Sequence, residues 1–275
     1  MRIVQRSTDV VFRVALWLCA LAALFPILWM ILSSFKPQDV VQAIPPVWSF
    51  TPTLQNYTDA LTGSASIGAL VVHSFVVATL STVLTLLTAL PAAYALTRIR
   101  FGGKRFVGDW ILSTIMFPPV VSAIPVFILV GKLRLTDTYP SLIIPYAAFN
   151  LPIAIWLLRS FIRQIPVEID EAGRIDGLTH FGVVRRLIFP LVAPGLAAAA
   201  ILSFLFSWNE FLFALTLTRS YVKTAPVGVM EFTGMYGTQW GALTAASTII
   251  AAPVLVLTLI LRRRIIQGMT FGAVK

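Results

Sequence analysis

The sequence predicts an all-α membrane protein with six transmembrane helices, both termini cytoplasmic, and a short cytoplasmic helix between helices 4 and 5. Three observations carry this expectation. Of the 275 residues, 58% are hydrophobic and only 12% charged, which is too apolar for a soluble domain of this length. The apolar residues gather into runs at about 14–32, 67–96, 107–130, 139–158, 191–217 and 241–261, each near the roughly 20 residues that a helix needs to cross a bilayer. The basic residues then sort themselves by side. Of 21, only Lys36, Lys132, Arg134, Arg219 and Lys223 fall opposite the termini, as the positive-inside rule requires of a correct layout.

Arg2, Arg6 and Arg13 precede or open the first run, which is too long for a signal-peptide core and is followed by no clear small-residue cleavage site. It reads as an uncleaved span. Residues 33–66, with Pro37, Pro45, Pro46, Trp48, Pro52 and Tyr57, suit a surface loop at the opposite interface. In the second span Thr79, Thr82, Thr85 and Thr88 recur every third residue. They either line a polar path or bond their own helix, and the second is expected. Residues 98–105, RIRFGGKR, form a cytoplasmic hairpin. Its Gly102-Gly103-Lys104 lacks the first glycine of a phosphate loop, and Arg105 stands where Ser or Thr is needed, so no nucleotide site is expected. Pro118, Pro119 and Pro125 bend the third run. The fourth carries Pro145, Asn150 and Pro152, the fifth opens on Ala197–Ala200, and a glycine-bearing external loop spans 218–240. Arg262, Arg263 and Arg264 then stop the sixth span.

Composition also removes function classes. The net charge of +10 flanks the apolar runs instead of gathering on an aromatic-studded face, so no nucleic-acid partner is expected. One cysteine, Cys19, excludes an internal disulfide framework, and His73 and His180 are isolated, so no metal site is expected. Apart from Glu210 the spans hold no acidic pair, His cluster or Ser/His/Asp set from which to build a catalytic site.

Residues 165–190 carry more acidic residues than any other stretch between two apolar runs. Pro166 suits a helix start, and Ile165, Ile169, Ala172, Gly173 and Asp176 recur at helical spacing. Gly177 ends that helix, and Thr179 caps a second running to Phe189. Glu168, Asp170, Glu171 and Asp176 invite a cationic or hydrogen-bonding partner, and Ala172, Gly173 and Gly177 leave room for close approach. A loop of this kind either keeps two spans apart or docks a partner. Here E-A-G-x-x-D-G from Glu171 to Gly177, followed by Phe189-Pro190, resembles the EAA loop of ABC-importer permeases. Gly173 stands where alanine is usual and Phe189 where leucine is common. The resemblance extends over essentially the whole chain. Residues 48–57, WSFTPTLQNY, are similar to the first external loop of carbohydrate-type permeases, and Trp208-Asn209-Glu210 to their W-N-[DE] feature.

That resemblance implies an inner-membrane permease of the carbohydrate, maltose-type uptake family. Glu168, Glu171, Ala172, Gly173, Asp176 and Gly177 then couple to an ATPase subunit. The implied partners are a second homologous permease, two ATPase subunits, an extracytoplasmic solute-binding protein and the membrane lipid. Gly234, Met235, Tyr236 and Gly237 would contact the binding protein, and Gln267, Gly268 and Met269 in the tail would reach the ATPases. No cofactor is expected in this chain, ATP and Mg belonging to the ATPase partners. Asn150, Trp208, Asn209 and Glu210 are the candidate solute-pathway residues. An intramembrane carboxylate is costly, so Glu210 either faces a polar cavity or makes a structural hydrogen bond. Two rival readings stay open: a self-sufficient channel or ion-coupled secondary transporter using Glu210, and an ABC permease for a solute other than a sugar.

Overall fold

Helix is the only backbone form that satisfies long apolar runs in lipid, and the computed structural model is built from little else. It describes residues 2–63, 66–234 and 237–270, with side chains from 12 to 259. In chain order the helices are α1 (Arg2–Ser34), α2 (Gln38–Val41), α3 (Gln55–Thr62), α4 (Ile67–Arg98), α5 (Lys104–Ser113), α6 (Pro119–Lys132) and α7 (Tyr139–Ile162). Then follow α8 (Val167–Ile175), α9 (His180–Val183), α10 (Phe189–Leu191), α11 (Ala193–Trp208), α12 (Leu212–Leu217), α13 (Ala225–Gly228) and α14 (Trp240–Thr270). A two-residue hairpin, β1 (Thr233–Gly234) against β2 (Gly237–Thr238), precedes α14.

Among the described residues four helices are long and apolar enough to cross a membrane: Phe12–Ser34, Ile67–Arg98, Tyr139–Ile162 and Trp240–Leu259. Two bent pairs raise the number to six if each is one span. These are Lys104–Met116 with Pro119–Lys132, bent by 99°, and His180–Leu191 with Ala193–Trp208, bent by 83°. The third run is therefore not the continuous helix expected; the second bend falls at the start of the fifth run, which is itself interrupted between Trp208 and Leu212. Pro118 and Pro119 offer no N–H to continue the helix from Met116, and Pro119 instead starts α6. At the second bend Val192 leaves helical geometry and Pro194 opens α11. Two further corrections concern loops. Residues 33–66 contain α2 and α3, and Pro190 lies in the first turn of α10 instead of stopping the helix.

The chain divides into two compact units, Met1–Gly68 with Gly228–Pro253, and Ala69–Val227 with Val254–Lys275. In the first, buried Asn56 donates to the Ser34 carbonyl at 2.9 Å and the Lys36 carbonyl at 2.8 Å, which fixes the chain reversal after α1. Lys36 is 1% exposed, its Nζ held 4.2 Å above the Trp29 ring. A Cβ at Gly241 would collide with the Asn56 amide, so this glycine lets the first turn of α14 pass close to Asn56.

The second unit is built around α7, which packs most extensively against α11. One apolar cluster joins the C-terminal halves of α4 and α7 to Val183, Ile188, Val192 and Leu196. Another joins Val77, Ala123, Val130, Leu142 and Tyr146 to Phe213 and Leu217 of α12. Of the threonine stripe, Thr82, Thr85 and Thr88 donate to Ala78, Ser81 and Leu84 carbonyls of their own helix at 2.7–2.8 Å, the expected self-satisfying arrangement. Gly195 lets α11 approach α7: a Cβ there would lie 2.6 Å from the Phe161 ring. Gly195→Ala is therefore expected to lower stability by about 1–3 kcal/mol through overpacking. Thermal melts of the detergent-solubilised protein check this, with Gly131→Ala, where nothing lies within 4 Å, as the neutral comparison.

Candidate functional site

Helix α8 forms where the sequence predicts, and its ends follow from local chemistry. Pro166 occupies the N-cap, and Glu168 and Asp170 sit in the first turn, where carboxylates favour the positive end of the helix dipole. Gly177 adopts φ +84, a left-handed position that glycine takes without strain. It sets up the terminating bonds from Gly177 N to Arg174 O and from Leu178 N to Gly173 O, both 3.0 Å. The Thr179 hydroxyl then accepts from Gly182 N at 3.2 Å and caps α9. A π-helical stretch, Val184–Ile188, carries the chain on into α10.

The two faces of α8 differ sharply. Glu168, Glu171, Ala172, Asp176 and Gly177 are exposed, and Ile175 is 86% exposed. Gly173 departs from the expected approach surface. It is buried, and a Cβ on it would lie 2.5 Å from Leu187 and 3.4 Å from Val183, so its missing side chain seats α8 on the helical stretch that follows. Asp170 is buried beside it. Its Oδ2 lies 2.7 Å from Arg98 Nε at the end of α4, and their side chains are 7% and 11% exposed. The same guanidinium donates to the Ile162 carbonyl at 3.1 Å and to the Ile165 carbonyl. Arg98 thus joins three elements: α4, the end of α7 and α8. Burial raises the Asp170 carboxyl above its ordinary range. Arg98 and His180 pull it back, and Glu171 adds to the rise.

A second constellation lies in the spans. The break between α5 and α6, the middle of α7 and the break between α11 and α12 meet around a cavity of about 260 Å³. Thr114, Tyr146, Asn150, Ser207 and Glu210 are its polar lining residues. Asn150 Nδ2 donates to the Ser203 carbonyl at 3.2 Å and to Ser207 Oγ at 2.9 Å, and Ser81 Oγ donates to the same Ser207 hydroxyl at 2.9 Å. Glu210 accepts from Phe213 N at 2.9 Å and Ala214 N at 3.2 Å, so it caps α12 and makes the break in the fifth run. Tyr146, 2% exposed, stands beside this carboxylate.

The structure brings Asn150 and Glu210 to one cavity and leaves their two companions out. Trp208 is buried with its ring stacked on Phe204, so it offers no open aromatic face, and Asn209 is exposed and bonds back to Leu205 O at 2.8 Å. Tyr146 and Ser207 were missed. The i, i+4 spacing of Tyr146 and Asn150 on one face of α7 was the available signal. Gly234 and Gly237 are exposed on the two strands of the hairpin, and Met235 and Tyr236 lie outside the described residues. The backbone of Gln267, Gly268 and Met269 belongs to α14, while their side chains lie outside the described residues.

Long apolar helices broken around a largely apolar cavity with a few polar groups, and a solvent-exposed helix clamped to the ends of two of them, fit a transport subunit of the membrane. The chain belongs to the family of binding-protein-dependent transport system inner membrane components, whose pattern matches residues 86–271. It is similar to the trehalose transport system permease protein SugB of Mycobacterium tuberculosis, 40% identical over 256 residues covering 92% of this chain and 93% of that protein. The trehalose/maltose transport system permease protein MalG of Thermococcus litoralis is 36% identical over 261 residues, covering 94% of each. The diacetylchitobiose uptake system permease protein DasC of Streptomyces coelicolor is 33% identical over 253 residues, covering 91% of each. The fold matches a chain in the crystal structure of a bacterial ABC transporter involved in the import of the acidic polysaccharide alginate. That match has a TM-score of 0.79 at 24% identity and covers 94% of this chain and 96% of that one. These sequence relatives are transport permeases, which places this chain among inner-membrane transport components.

Proposed function

We propose that this chain forms half of the transmembrane pathway for a sugar or sugar derivative in a binding-protein-dependent ABC importer. It does so with six spans, the two bent pairs each counted as one, and with both termini cytoplasmic. It pairs with a second, similar permease, two ATPase subunits and an extracytoplasmic solute-binding protein. The chain itself carries no catalysis and no cofactor, ATP and Mg being held by the ATPases. The sugar class is supported by the trehalose, maltose and diacetylchitobiose permeases among its relatives. Hydroxyl, amide and carboxylate groups around the cavity suit a polyhydroxylated solute, with Asn150 and Glu210 on that wall and Trp208 buried behind it. Asn209, Gly234 and Gly237 are exposed and available to solute or to the binding protein.

One observation carries the reading: α8 is an exposed, capped helix that is fixed to the spans on one face and bare on the other. Glu168, Glu171, Ala172, Ile175 and Asp176 on the bare face meet the ATPase, and Gly173 and Gly177 set the helix's seat and exit. ATP-driven closure of the ATPases then moves α8 as a lever, and nucleotide biases the spans through its differential affinity for their two arrangements. Glu171→Ala and Ile175→Asp are expected to leave the permease inserted and to cut ATPase co-purification and sugar uptake about tenfold or more, as for loss of a contact at the centre of an interface. Unchanged co-purification with full uptake overturns the reading.

A further inference from the structure

We propose that the junction of α4, α5 and α7 binds the phosphate headgroup of an anionic phospholipid. The proposal rests on the membrane placement of the chain and is independent of the solute. Two spans end at this junction, α4 at Arg98 and α7 at Ile162, so the residues just beyond them lie at headgroup depth.

Positive charge accumulates there beyond what the protein neutralises. Lys104 lies within electrostatic range of Arg100, Arg159 and Arg163, and Arg159 within range of Arg163. The acidic group acting on Arg159 is Asp109, whose carboxylate is also 3.8 Å from exposed Arg105. Arg159 is only partly exposed, and its Nε is enclosed without a hydrogen-bond partner, so the protein leaves this guanidinium under-satisfied. Gly108 leaves room for its guanidinium, since a Cβ there would come within 3.1 Å of Nη1. Lys104 Nζ donates to the Thr97 and Ile99 carbonyls at 3.1 and 3.0 Å, which folds the hairpin. A lysine has a third proton to give. The first turn of α5 has no side-chain cap, so its N–H groups add to the same positive field.

The apolar surroundings decide between a lipid and a free anion. Phe101, Phe106 and Trp110 are exposed on and beside α5. Aromatic side chains next to a cationic cluster at a span end sit at the level where headgroup meets acyl chain. Inorganic phosphate would satisfy the cations and gain nothing from these rings, whereas an anionic lipid satisfies both.

The test uses the complete transporter, purified from membranes, exchanged into phosphatidylcholine nanodiscs with or without phosphatidylglycerol, and assayed for retained phosphatidylglycerol by native mass spectrometry. Arg100→Gln and Arg163→Gln remove exposed cations and are expected to weaken retention about fivefold each, the worth of one cation near an anionic surface. Lys132→Gln at the far end of α6 should leave it unchanged. Arg100→Lys and Arg163→Lys preserve charge, should retain the lipid, and separate loss of the site from loss of folding. Equal retention by wild type and the double glutamine variant overturns the proposal. So does displacement of phosphatidylglycerol by inorganic phosphate, which would make this a site for soluble anions.

Discussion

Removing the Arg98 side chain is expected to destabilise the protein by about 3–5 kcal/mol, because it strands a buried carboxylate. Asp170 would be left buried without its ion-pair partner, and the Ile162 and Ile165 carbonyls would lose a shared donor. The same loss should unseat α8, so that uptake falls along with stability. Stability alone does not explain why the pair is there. Burial raises the Asp170 carboxyl despite the guanidinium at 2.7 Å, so desolvation outweighs the pair's attraction. For a carboxylate with a raised folded pKa, the ionised form is the penalised one, and acidification relieves the penalty. Its contribution to stability therefore increases as pH falls and is not lost by protonation. Paired charges of this kind are often replaceable by apolar residues at no cost in stability, whereas breaking one partner is costly. That difference separates geometry from stability. Arg98→Ala and Asp170→Ala should each lower the melting temperature of the solubilised complex. The double variant Arg98→Met with Asp170→Leu should recover most of it, yet show less transport per ATP hydrolysed in the proposed importer, since α8 is no longer tied to α4 and α7. Full coupling in the stable double variant would show that the clamp does not transmit motion.

Much of this arrangement was legible in the sequence, and the part that was not has a physical reason. Local signals predicted the ends of α8 and the start of α9: a proline start, a glycine stop and a threonine cap act within a few residues. Apolar runs located the long helices because crossing a bilayer requires an uninterrupted apolar length. The two bends were hidden by the same signal, since hydropathy averages over a window and cannot distinguish one bent span from one straight span. Pro118-Pro119 did announce a disturbance in the third run. The break after Trp208 rests on Glu210 folding back onto Phe213 and Ala214, and a capping carboxylate and a substrate-binding one read alike in sequence. Gly173 was placed on the wrong face. Helical spacing groups it equally well with buried Asp170 or with exposed Asp176, three residues to either side, and only the packing of Leu187 and Val183 against it decides. Arg98 and Asp170 lie far apart in the chain, so no spacing rule links them.

Asp137→Asn should loosen the opposite end of the same unit, and the effect should depend on pH in a defined direction. Asp137 lies in the turn between α6 and α7 at φ +60, and its backbone N–H donates to the Leu217 carbonyl at 2.9 Å. Its carboxylate accepts from the N–H groups of Arg219, Ser220, Tyr221 and Val222 at 3.0–3.2 Å. This ring seats the chain after α12, and Val222 enters the core beside Leu217 and Leu142. Partial burial pushes the carboxyl up. The four backbone donors outweigh it and bring the group down from 3.8 to about 2. A shift of this size corresponds to about 2.5 kcal/mol before screening, and partial exposure reduces it to about 1 kcal/mol. The sign follows from linkage. A depressed folded pKa stabilises at pH above 3.8 and ceases to do so as the pH falls towards 2. Asparagine tolerates a left-handed backbone as well as aspartate does, so this substitution removes charge without adding strain. Thermal melts of wild type and variant should differ by that amount at neutral pH and converge as the medium is acidified through this window. A gap that persists unchanged at low pH would mean that the carboxylate's charge is not what holds the loop.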